Sequence, residues 1–90
     1  MPKPVQDYVF TNHALSEMER RGINKDEVSA VLVKPEQSEP VRKGRVVLQS
    51  KISSGDPEKE YLLRVFVDID RNPPRIVTAY LTSKIDKYWR

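Results

Sequence analysis

The chain has no cysteine and a single histidine. Without cysteine there is no disulfide framework and no thiolate-held metal. With one imidazole besides, no His/Cys metal centre can be assembled, so no metal and no cofactor is expected. Glycine is also scarce. The three residues, Gly22, Gly44 and Gly55, stand alone and form no phosphate-cradling loop. No apolar run approaches the roughly 18–20 residues of a membrane span. The opening MPKPVQDYVF lacks the apolar core of a signal peptide. These absences lead us to expect a soluble, cytoplasmic protein. Its 90 residues suffice for one domain, 1–90, with little stability to spare.

What is present changes character half-way along. Pro2 and Pro4 keep the start extended, and Tyr8–Phe10 suits a short edge strand or a hydrophobic staple. Thr11 or Asn12 caps a first helix whose apolar stripe is Ala14, Leu15 and Met18. Gly22 ends it, with Ile23 packing back as in a Schellman motif. Asn24 and Glu27 have capping-box spacing for a second helix, which carries Val28, Val31 and Leu32 on one face and stops at Lys34-Pro35. After that the period becomes two. Ser38–Arg42 is extended, Lys43-Gly44 is a hairpin turn, and Arg45–Ile52, Glu60–Asp70 and Arg75–Thr82 are strands. The expected fold is α+β: an N-terminal αα-hairpin packed on a three- to four-stranded antiparallel sheet.

Strand parity sorts the side chains. Leu63, Val65, Val67 and Ile69, with Val77, Ala79 and Leu81, are expected to face the helices. Arg64, Thr78, Tyr80 and Thr82 then share the other face, expected to be open. Two readings of that face stand: an ordinary solvated sheet face, or a phosphate site. The net charge of +3 is mild but clustered. Lys84, Lys87 and Arg90 crowd the C-terminus beside Tyr88 and Trp89, and Arg42, Lys43 and Arg45 make a second basic knot. Cations next to stacking rings suit single-stranded nucleic acid or an acidic protein.

Two stretches resemble a known family. Phe10-Thr11-x-His13-Ala14-Leu15-x-x-Met18-x-x-Arg21-Gly22-Ile23 resembles the start of short bacterial domains of unknown function. Leu63-Arg64-Val65-x-Val67-Asp68 and Val77-Thr78-x-Tyr80-x-Thr82-Ser83-Lys84-Ile85-x-Lys87-Tyr88-Trp89 resemble their end. Such domains are grouped with the RelE and BrnT toxins of toxin–antitoxin systems. The resemblance implies helices followed by an antiparallel sheet, and metal-independent endoribonuclease activity. It places catalysis on His13, Arg64, Tyr80 and Lys84, with Thr78 and Ser83 orienting the phosphate; the clustered charge adds Arg45 and Lys87 to Thr78 and Ser83 as expected RNA-binding residues. The partners implied are RNA and an acidic antitoxin-like protein; the small core and aromatic C-terminus add a second copy of the chain as an expected partner. In that chemistry a neutral His13 takes the 2′-hydroxyl proton, while Arg64 and Lys84 hold the phosphate. The competing expectation is a non-catalytic RNA-binding or protein-interaction domain. The nuclease reading requires His13 to share a hollow with Arg64 and Tyr80.

Overall fold

A computed structural model describes residues 4–55 and 57–90; Pro2 lies outside them. Strand β1 (Val9–Phe10) leads into helices α1 (Asn12–Arg21) and α2 (Lys25–Val33). Strands β2 (Gln37–Arg42), β3 (Arg45–Ser54), β4 (Lys59–Asp68) and β5 (Arg75–Thr82) follow, and a short helix α3 (Ile85–Tyr88) ends the chain.

Local chemistry sets both long helices. The Thr11 hydroxyl accepts the Ala14 amide at 3.0 Å and caps α1. At its other end the Gly22 and Ile23 amides donate to the Glu19 and Met18 carbonyls, with Gly22 at φ 70°. That is the expected Schellman closure, and Ile23 is buried behind it. At α2 the Asn24 side chain accepts the Glu27 amide at 2.8 Å while the Glu27 carboxylate accepts the Asn24 amide at 3.1 Å.

The fold is α+β as expected, but among the described residues the sheet has five strands in the order β1-β5-β4-β3-β2. It is also mixed rather than antiparallel, because β1 runs parallel to β5. Two residues carry too short a pattern to reveal a strand direction.

Helices α1 and α2 cover one face, burying Ala14, Met18, Val28, Val31 and Leu32 against Leu48, Leu63, Val65, Val67, Ile76 and Ala79. Two expected core positions move. The register passes from Phe66↔Thr78 to Val67↔Ile76, so Val77 is an extra residue and Ile76 takes its inward place. Ile69 lies beyond the end of β4 and is 49% exposed. Among the described residues no helix is long and apolar enough to cross a membrane.

Candidate functional site

The face of the sheet away from α1 and α2 is not open. Val47 and Leu62 point to it and are fully buried. The C-terminal segment returns across this face and is fastened at several points. The Tyr88 carbonyl accepts the Gln49 side-chain amide at 3.1 Å. The Gln37 side-chain amide donates to the Arg90 carbonyl at 2.7 Å, and the Arg90 backbone amide donates back to the Gln37 side-chain oxygen at 3.1 Å. Arg90 also donates to the Glu39 carboxylate at 2.8 Å, and the Lys51 ammonium sits 4.2 Å from the centre of the Trp89 ring. Parity alone leaves the face bare, whereas residues 85–90 cover its middle.

Beneath that segment lies a dense polar cluster. The register sets Gln49, Arg64 and Tyr80 side by side on β3, β4 and β5. Arg64 donates to the Gln49 side-chain oxygen at 2.9 Å and to the Tyr80 hydroxyl at 2.7 Å, and its Nη2 stands 3.8 Å from Glu39. Its guanidinium carbon is 4.1 Å from the centre of the Tyr88 ring, 5.4 Å from that of Phe66 and 5.7 Å from that of Tyr80. Phe66 and Tyr80 stack at 6.0 Å, and Tyr88 meets Tyr80 edge-on at 6.4 Å. Arg64 is only 7% exposed. A cation held so deep requires partners, and these rings, amides and carboxylate supply them.

The two phenols are driven apart. Burial raises the Tyr80 phenol above its ordinary value, the Arg64 hydrogen bond opposes this, and the contact with Tyr88 adds to the rise. Tyr88 is lowered, chiefly by hydrogen bonding with the Tyr80 hydroxyl and then by the nearby cations Lys87 and Arg64. Tyr88 is thus the more acidic of the pair and the one on the solvent side.

The expected site residues divide among different places. Arg64 and Tyr80 meet. Ser83, Lys84 and Lys87 come together with Lys51 around a neighbouring hollow of about 450 Å³, which Glu60 and Asp86 also line. Thr78 is tied instead to Arg21, which reaches it at 3.4 Å and the Ala79 carbonyl at 2.9 Å. Arg45 is engaged bidentately by Asp68 at 2.6 and 3.1 Å. His13 does not join the cluster. It lies in the first turn of α1, in the layer across the sheet, with a side chain 69% exposed and Glu17 3.8 Å away. Glu17 itself is held below its ordinary range by its hydrogen bond to Arg20. Among the described residues no three His, Cys, Asp or Glu gather as metal ligands.

Residues 10–81 match the family described as Domain of unknown function (DUF4258). The chain belongs to this family. No curated protein and no solved structure matches it. The DUF4258 match takes in helices α1 and α2, all of the sheet but its first and last residues, Val9 and Thr82, and the Gln49–Arg64–Tyr80 row. The covering segment, with Tyr88 and Trp89, lies beyond it.

Gln49, Phe66, Tyr88 and Glu39 complete the cluster without being expected site residues. Parity already puts Phe66 on the Arg64 face. Gln49 joins only through the β3–β4 register, which the loop between those strands does not reveal.

Proposed function

We propose that this DUF4258 domain binds single-stranded RNA on the outer sheet face, around the C-terminal segment, without chemistry at His13. One observation carries the reading: half-buried aromatic rings (Phe66, Tyr80, Tyr88) surround a guanidinium while Lys51, Lys84 and Lys87 rim the adjoining hollow. The free faces of such rings stack on bases, and the ammonium groups meet phosphates. Glu60 and Asp86 in the same hollow moderate the field, so the affinity rests on close contact more than on long-range attraction. The test is fluorescence anisotropy of a labelled single-stranded RNA over a range of salt. Binding should weaken with salt, and the double variant Lys84→Gln/Lys87→Gln should flatten the slope by about 0.7 for each phosphate no longer neutralised. An unchanged anisotropy with protein shown by circular dichroism to be folded refutes the proposal.

A second reading is favoured by Tyr88 alone: RelE/BrnT-type cleavage without a metal. Its lowered phenol stands against Arg64. As phenolate it would accept the proton of a 2′-hydroxyl as that oxygen attacks phosphorus. The 5′-oxygen then leaves with a proton from water, giving a 2′,3′-cyclic phosphate, and Arg64 offsets the charge on the phosphorane. Here Tyr88→Phe should abolish cleavage in EDTA and His13→Ala should not. RNA left intact at high protein excess eliminates this reading and leaves the first.

A further inference from the structure

The opposite end of the same face carries a second charged cluster that the C-terminal segment does not reach. Its geometry follows from the register. Arg42 pairs with Arg45, Arg45 with Asp68, and Asp68 with Arg75, so one row crosses four strands on one face. Asp68 is taken by Arg45, and this hydrogen bond holds its carboxyl below the ordinary range, with Arg42 and Arg71 adding to the effect. Among the described residues no carboxylate forms an ion pair with Arg42 or Arg75 on the flanks of that couple. The remaining acid, Asp70, points at the Gly44 turn: a side chain added at Gly44 would meet its carboxylate at 2.5 Å.

This row breaks a rule of sheet stability. Like charges directly opposite each other on neighbouring strands are destabilising, and Arg42 faces Arg45. Asp68 is hydrogen-bonded by Arg45 and also feels Arg42 and Arg71, while Asp70 acts on Arg45, so the cations Arg42, Arg45, Arg71 and Arg75 outnumber the carboxylates Asp68 and Asp70 at this end of the face. Such an uncompensated local cost marks a place where an external group completes the arrangement. The flanking arginines lie three strand spacings apart, roughly 14 Å, a span wider than a single phosphate. Four residues along β3 separate Arg45 from Gln49, roughly 13 Å, with half-buried Phe66 between the two rows on β4.

We infer that Arg42 and Arg75, flanking the Arg45–Asp68 pair, hold backbone phosphates of an RNA strand that continues along the outer face from the C-terminal hollow. The inference rests on the RNA-binding reading and extends it to a track running the length of the strands. Arg42 and Arg75 contact phosphates alone, so they contribute affinity and salt dependence and no base preference.

The test compares two labelled single-stranded RNAs, of about 4 and about 16 nucleotides, with wild-type protein and the double variant Arg42→Gln/Arg75→Gln. For the long RNA the variant should bind more weakly, with the salt slope reduced by about 1.4, two phosphates at about 0.7 each. The short RNA, which fits the C-terminal hollow, should bind as before. Thermal stability of the variant should be unchanged or slightly raised, since a like-charge pairing is removed. An unchanged slope with the long RNA, while Lys84→Gln/Lys87→Gln still lowers it, overturns the track and spares the RNA-binding reading. Equal weakening of both RNAs overturns it too, because the row would then not be a separate subsite. If the wild-type protein binds neither RNA, the track and the reading beneath it fall together.

Discussion

Arg64→Met is the most direct probe of the outer face. The guanidinium makes hydrogen bonds of 2.9 and 2.7 Å and stacks on Tyr88 at 4.1 Å. Two hydrogen bonds to a charged group are worth about 1.5–3 kcal/mol each, and a partly desolvated cation–π contact about 0.5–2 kcal/mol. Against this, methionine fills similar space and spares the several kcal/mol needed to desolvate a charge. What remains is the orphaned Gln49 oxygen, on a side chain 1% exposed, at about 1–3 kcal/mol. The expected net loss is about 2 kcal/mol, or roughly 8–16 °C in Tm for a domain of this size. Circular dichroism follows the whole fold. Trp89 is the sole tryptophan and rests on Lys51, so its emission follows the C-terminal segment separately. The Trp89 transition should come at or below the dichroism midpoint in the variant. A change in Tm smaller than about 2 °C would show that Arg64 does not hold the face together, and a rise would show that its desolvation outweighs its bonds.

Three further outcomes follow from local geometry. Gly22→Ala should cost about 1 kcal/mol in urea unfolding: its φ of 70° is strained for a β-carbon although the surrounding space is open. Gly44→Ala should cost about 1–2 kcal/mol by the same measurement, set by its φ of 83°, because the exposed Asp70 carboxylate it would meet can swing aside. Asp68 is lowered from 3.8 chiefly by Arg45, so its stabilisation is full above that value and disappears as pH falls through the lower folded-state value. Stability measured by urea unfolding should therefore drop on acidification below about pH 5, and Asp68→Asn should be less stable at neutral pH with a shallower acid limb.

The helical half is legible in the sequence because its signals are short-range. Asn24 and Glu27, or Gly22 and Ile23, meet within one turn, and no distant residue alters what they do. The sheet is legible only as far as parity holds. One inserted residue at Val77 shifts everything N-terminal to it on β5, so Ile76 and not Val77 enters the core. The parallel strand β1 is shorter than the length at which a pattern exists. His13 belongs to the expected site by its chemistry, since an imidazole is the obvious base near neutral pH, yet helix α1 places it across the sheet from Arg64.

The outer face departs furthest from what parity predicts, and the cause is physical. A polar outward row reads as solvated when each strand is considered alone. Gln49, Arg64 and Tyr80 instead share one hydrogen-bonded layer, which becomes low in exposure once Tyr88 lies on it. The clue is the C-terminal Tyr88-Trp89-Arg90, two rings and a cation with no core position left to fill, at the end of a helix too short to bury anything by itself. Such a segment reaches stability by laying its rings over a guanidinium and an ammonium, as Tyr88 does on Arg64 and Trp89 on Lys51. These are the same contacts that a nucleobase would make on this surface. On the proposed RNA-binding reading, a base bound to this face would have to lie beside Tyr88 or take its place.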